Sequence, residues 1–332
     1  MADYQDNKAI VLQLYEELEA ASADDVGTVL NRYTTSDYQF RGVHPFNELE
    51  GADAVADIVW KPLCSAFTAM QRRQDIFMAG ANDEDGTEWV TSMGNFMGLF
   101  DNDWLGIPAT GKIIFLPYVE FNKISDGKIS ESAFFCDIIS VMKQVGLTPL
   151  PIQTGAEFIN PGPRTHDGLL IEIQDVAEST KSLQLVNRMK DDFVSTYGSQ
   201  VPADILAKTW HDDMLWFGPG GIGAAYTIDG FLNQHEGPFR EGLDNIVFNG
   251  HVCRFAEGHY AGWFGWPNLT MNPAGGFMGL PASDKKVHMR VVDMYRRDGD
   301  KLAENWIFID ILYFLMQQNV DVLARMRKIL RR

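Results

Sequence analysis

The chain has 332 residues, 45% of them hydrophobic, and a formal net charge of −17. That charge excludes the basic footprint of a nucleic-acid binder, and no apolar run is long enough to span a bilayer. The three cysteines, Cys64, Cys136 and Cys253, are odd in number and lack metal or disulfide spacing, which fits a reducing cytosol.

The opening stretch MADYQDNKAIVLQLYEELEA is acidic and lacks the basic start and small-residue cleavage site of a signal peptide, so a cytoplasmic location is expected. Within it Ile10, Leu14 and Leu18 recur at helical spacing. Asp24 and Asp25 open a second short helix carrying Val26, Val29, Leu30 and Tyr33. Strand-like runs follow: MGNFMGLF (93–100), then KIIFLPYVEFNKI (112–124). Ser125-Asp126-Gly127 reads as a hairpin turn into a partner strand, KISESAFFCDIISVM (128–142). Pro149, Pro151, Pro161 and Pro163 bracket a linker.

The order of elements then begins again. Leu185, Met189 and Phe193 share a helix face, and Pro202 starts a helix running through Ile205, Leu206 and Trp210. EGHYAGWF (257–264), KVHMRVVDMYRR (286–297) and KLAENWIFIDILYFLM (301–316) read as strands, the last two joined at Asp298-Gly299. The basic end RMRKILRR (325–332) closes an amphipathic helix with Val320, Leu323 and Met326 on one side, where cations complement the helix dipole.

Residues 108–146 and 281–319 align without a gap at a constant offset of 173. The alignment pairs Pro108 with Pro281, Glu131 with Glu304, Phe135 with Phe308, Asp137 with Asp310 and Gln144 with Gln317. Two domains are therefore expected, 1–150 and 169–332, joined by a linker at 151–168. Each is α+β, with helices packed on one face of a curved antiparallel sheet.

The …DG-K-[IL]-x-E… hairpin, the Asp six residues after its Glu and the Gln seven further on resemble the SnoaL-like polyketide cyclases of the nuclear transport factor-2-like superfamily. GLPASDKKVHMRVVDMYRRDGDKLAENWIFIDI (279–311) carries the resemblance most specifically, and 106–139 is a more divergent copy. The resemblance implies two tandem cone-shaped α+β barrels, packed as an intrachain pseudo-dimer in place of the family's homodimer, with further oligomerisation left open. It implies a small apolar, carbonyl-bearing ligand and cofactor-free acid/base chemistry, such as aldol cyclisation, isomerisation or dehydration. The same superfamily holds epoxide hydrolases and catalytically silent ligand-binding or assembly modules, and fold does not choose among them.

In SnoaL-like cyclases an Asp on the pocket-facing strands is the acid/base of ring closure, and Asp310 resembles that residue. On a strand it would share a face with Trp306 and Phe308, in an aromatic pocket whose desolvation raises its pKa. The opposite face, Ile307, Ile309 and Ile311, suits packing on helices. The competing reading is an acid held by backbone donors or by an arginine. Asp293, flanked by Val291 and Tyr295, would pair with Asp310 as a second carboxylate. His259 is expected to assist, with Tyr260, Trp263, His288, Trp210 and Asp213 around the pocket. Asp137 and Glu120 are the first-domain equivalents of Asp310 and Asp293. An epoxide hydrolase would need Arg290 or Arg296 between Asp293 and Asp310. No metal site is expected. The glycine-rich pieces at 217–226 and 272–281 match no phosphate loop and read as mouth loops.

Overall fold

In the computed structural model, which describes residues 3–199 and 201–330, the chain divides into two units. The first takes in the chain up to Pro149, Ile159–Ile173 and the chain from Asp321 onward; the second takes in Leu150–Phe158 and Gln174–Val320. The segment expected as a linker is thus shared between the units. The terminal helix Val322–Leu330, expected with the second domain, belongs to the first. It buries Val322, Leu323 and Met326, and Arg327 lies over Gly106 so closely that an added Cβ there would come within 3.2 Å of it. An amphipathic stripe shows that a helix packs, not against what. The last two residues of the basic tail, Arg331 and Arg332, lie outside the described residues.

The first unit opens with helix Gln5–Ala20, which buries Val11, Leu14, Tyr15 and Leu18, followed by helix Val26–Tyr33. Its strands are β1 (Thr34–Gly42), β2 (Asn47–Glu50), β3 (Phe67–Ala81), β4 (Glu88–Phe100), β5 (Ile113–Ser125) and β6 (Lys128–Cys136). They lie in the order β2-β1-β6-β5-β4-β3, with β1 and β6 parallel and the other neighbours antiparallel. Asp126 and Gly127 both take positive φ (50° and 71°), as the two-residue turn between β5 and β6 requires.

The second unit follows the same plan. Helix Val176–Ser195 begins where the Asp175 side chain accepts from the Ala177 amide, and it buries Leu185, Val186 and Met189. The next helix is only Ala203–Leu206, and Trp210 begins a strand instead of ending that helix. The strands are β7 (Trp210–Phe217), β8 (Ala224–Tyr226), β9 (Leu243–Phe248), β10 (Cys253–Glu257), β11 (Tyr260–Pro273), β12 (Val287–Asp298) and β13 (Lys301–Ile309). Their order is β10-β11-β12-β13-β7-β8, with β9 also pairing with β11. A π-helical turn recurs in both units, at Ala56–Trp60 and Leu232–Glu236.

The repeated polar residues build this scaffold. The strands expected to run to 142 and 316 stop at Cys136 and Ile309. Asp137 and Asp310 then cap short helices, Ile138–Gln144 and Ile311–Met316, by accepting from the amides of Ser140 (2.8 Å) and Tyr313 (3.1 Å). Gln144 closes a two-way latch on the backbone of Phe115, its amide accepting at 2.9 Å and donating at 2.6 Å. Gln317 does the same to His288, both bonds being 2.8 Å. Glu131 pairs with Arg41, and Glu304 with Arg296.

Candidate active site

The second unit surrounds a cavity of about 140 Å3. Its sheet wall follows from strand alternation. Met289, Val291, Asp293 and Tyr295 of β12 line it, as do Asn305, Ile307 and Ile309 of β13 and Trp263, Asn268 and Leu269 of β11. The ladder puts Asp293 opposite both Trp263 and Ile307, so the three share one face. Met189 and Phe193 of the long helix, His235 and Glu236 of the π-helical turn, and Phe248 of β9 are among the other lining residues. A break in the β11 register between Gly265 and Leu269 turns Asn268 back over Gly265. A Cβ at Gly265 would lie 2.3 Å from the Asn268 side chain, so only glycine allows this fold-back.

Two acids line this wall, Glu236, which is paired with Arg240, and Asp293, which lies on the sheet. Asp293 is 4% exposed, and burial pushes its pKa up to about 7. Hydrogen bonds from Asn305 Nδ2 (2.8 Å to Oδ1) and from Tyr295 restrain that rise by favouring the charged form. The arginine of the wall, Arg240, is engaged by other groups. Its Nε donates to Glu236 at 2.6 Å and its two terminal nitrogens donate to Thr196. Asp293 is therefore a buried carboxyl tuned near neutrality and held by neutral donors.

Other polar atoms of the wall are buried without a partner: Nε2 of His251, Nδ1 of His235, Nε1 of Trp210 and Nδ2 of Asn268. An indole N–H and an amide NH2 only donate. Burial lowers the pKa of His235 to about 3, so it is neutral, stacked on Trp216 at 4.0 Å between ring centres. Apolar walls, an acid without an arginine partner and unpaired donors suit an apolar molecule bearing a hydrogen-bond acceptor. Among the described residues no three His, Cys, Asp or Glu side chains gather as metal ligands.

The structure separates the residues proposed from sequence. Asp293, Trp263 and Trp210 line the cavity. Asp310 does not: it is a helix cap whose second oxygen pairs with Arg290 at 3.2 Å. That guanidinium in turn lies over the rings of Trp266 and Tyr313. Trp306 and Phe308 sit on the opposite face of β13 from Asn305 and Ile307, and Trp306 stacks on Phe217 at 5.7 Å. Of the isoleucine face, Ile307 and Ile309 line the cavity, and Ile311 begins the helix that Asp310 caps. Tyr260 and His288 also lie on the far faces of their strands, and His288 Nδ1 meets Thr270 Oγ1 at 3.0 Å. Asp213 is exposed on β7. His259 sits in the β10–β11 turn with its side chain 51% exposed, 3.9 Å from Glu178. Arg290 and Arg296 are paired with Asp310 and Glu304 and do not line the cavity, so the Asp–Arg–Asp set of an epoxide hydrolase is not assembled. The glycine-rich segments contribute Gly221, Ile222 and Gly276–Gly279 to a second cavity of about 110 Å3, which shares His235 with the first.

Sequence reasoning missed Asn305, His251, His235 and Phe248. The two-residue turn after Asp298 pairs Asp298 with Lys301 and Arg297 with Leu302, a register that by itself would set Trp306 opposite Asp293. An irregularity between Arg296 and Arg297 shifts it by one residue, which puts Asn305 and Ile307 on the Asp293 face and Asp310 off it, and no local sequence signal announces that shift.

The first unit carries Glu120 where the second carries Asp293, but there Arg72 Nη1 donates to Glu120 Oε2 at 2.8 Å. The Arg72 guanidinium lies over Tyr15 (3.6 Å), Phe96 (4.6 Å) and Tyr118 (4.8 Å). In the ladder Arg72 faces Phe96, and the matching pair in the second unit is Phe248 with Leu269.

A model of the SnoaL-like polyketide cyclase family matches residues 201–319. No curated protein matches the sequence. Among solved structures, a candidate SnoaL-like polyketide cyclase from Jannaschia sp. CCS1 is 22% identical, covering 44% of this chain and 95% of its own, with a TM-score of 0.35. A candidate polyketide cyclase from Xanthomonas campestris pv. campestris is 21% identical over 44% of this chain and 100% of its own, with a TM-score of 0.36. AclR, a candidate hydroxylase from Streptomyces galilaeus, is 18% identical over 42% of this chain and 80% of its own, with a TM-score of 0.35.

Proposed function

We propose, starting from the match of residues 201–319 to the SnoaL-like polyketide cyclase family model, that the second unit moves protons beside the carbonyl group of a small apolar molecule. Asp293 is the acid/base. Ionised, it takes a proton from the carbon next to the carbonyl and leaves an enolate. Protonated, it returns that proton to the same carbon, to a conjugated carbon, or to the oxygen formed when the enolate attacks a second carbonyl. Isomerisation and aldol cyclisation thus share the first step, and the ligand's own shape decides which follows.

The observation that carries this reading is a cavity-lining carboxyl whose pKa lies at about 7 with Asn305 and Tyr295 holding it. A base works best when its pKa lies near the working pH, and such a group contributes about 10²–10⁴ in rate. Burial in an apolar cavity also strengthens its interaction with charge developing on the ligand.

The test is solvent-deuterium exchange into a panel of enolisable ketones, with the parent compared against Asp293→Asn. The reading predicts exchange by the parent and its loss in the variant. Ketone binding without exchange in either protein would make the unit a ligand-binding module instead.

A further inference from the structure

We propose that His251 donates a hydrogen bond from Nε2 to the carbonyl oxygen of the ligand, so that the cavity selects neutral molecules with an acceptor at that point. The proposal rests on reading the cavity as a site for carbonyl compounds, and it adds a residue that touches the ligand and sets its class.

His251 lines the cavity just ahead of β10. Its ring is stacked on Trp263 at 4.2 Å and 15°, and the Phe248 ring meets it edge-on at 5.1 Å. Trp263 is the ladder partner of Asp293, so the imidazole is one ring away from the acid's strand position. Nδ1 of His251 lies 3.0 Å from Arg254 Nη1. A guanidinium has no lone pair to offer, so Nδ1 must accept. A neutral imidazole that accepts at Nδ1 carries its proton on Nε2. The ring is neutral: burial, Arg254 and Lys190 lower its pKa to about 2. Nε2 lies across the ring from Nδ1, is shielded from solvent and has no protein partner. A buried donor left unpaired is costly, and a ligand oxygen relieves that cost. Arg254 thereby acts as a positioning residue that fixes the tautomer.

The test uses the full chain with acetophenone and ethylbenzene, which share a shape and differ in the carbonyl. The parent should bind acetophenone about tenfold more tightly, as one recovered hydrogen bond implies, and His251→Leu should erase that preference. Because a variant can misfold, the parent is also read by 15N NMR of its histidines. His251 should be the Nε2–H tautomer from pH 5 to 8, and its Nε2–H resonance should move with acetophenone and not with ethylbenzene. No preference in the parent, an equal preference in His251→Leu, or an Nδ1–H tautomer overturns the proposal. Exchange of the acetophenone methyl protons separates the two readings. Exchange that needs Asp293 beside a preference indifferent to His251 defeats this proposal alone. A preference that needs His251 without Asp293-dependent exchange defeats only the catalytic reading.

Discussion

The interiors of the two units are set apart by the residue that faces the shared acidic position. In the first, Arg72 reaches Glu120 and fills the space between Tyr15, Phe96 and Tyr118 with its own guanidinium. In the second, the equivalent ladder position is Phe248, and the equivalent acid, Asp293, faces a cavity. A paired and packed acid is part of the core, and an unpaired buried acid is held ready to titrate. The lesson is that a shared acidic position says little until its partner is known.

The largest expected effect comes from turning the second interior into the first. Phe248→Arg should pair with Asp293, occupy the cavity and reduce ketone exchange at least about 100-fold, and NMR titration should place the Asp293 pKa below the usual carboxylate range. The next concerns stability. The folded-state pKa of Asp293, about 7, lies above its unfolded value of about 3.9. The folded state therefore holds the proton more tightly, and stability is lost as pH rises from about 4 to about 7. Asp293→Asn lacks this penalty. Denaturant titrations should show it gaining on the parent by up to about 4 kcal/mol across that window. Asp310→Ala should cost about 2–4 kcal/mol, through a lost helix cap and an Arg290 stripped of its carboxylate, while leaving exchange by the folded protein unchanged. His259→Ala, at an exposed turn, should shift stability by less than about 0.5 kcal/mol and leave exchange untouched.

The sequence made the α+β repeat legible because its signals are local: helical periodicity, two-residue turns and alternation. It misled at the site because the strongest repeated signal belonged to the scaffold. Asp137 and Asp310, Gln144 and Gln317, and Glu131 and Glu304 recur because both units need the same caps, latches and ion pairs. A cap residue between an apolar strand and an apolar helix reads as strand when the helix is only one or two turns long. Continuing the strand through Asp310 aligned that acid with Trp306 and Phe308, and the one-residue register shift between Arg296 and Arg297 turned their face away from Asp293. The isoleucine face looked suited to helices, but a cavity for an apolar ligand demands the same side chains. Arg72, Phe248 and His251 act across the sheet, and no local pattern links them to the acids and rings they meet.

The most direct test of the central claim is the pH profile of deuterium exchange into acetophenone by the parent and by Asp293→Asn. If Asp293 is the base, the parent's rate rises tenfold per pH unit below about 7 and levels off above it, and the variant shows no such rise. A parent profile that is flat through pH 7, or one that Asp293→Asn reproduces, would contradict it.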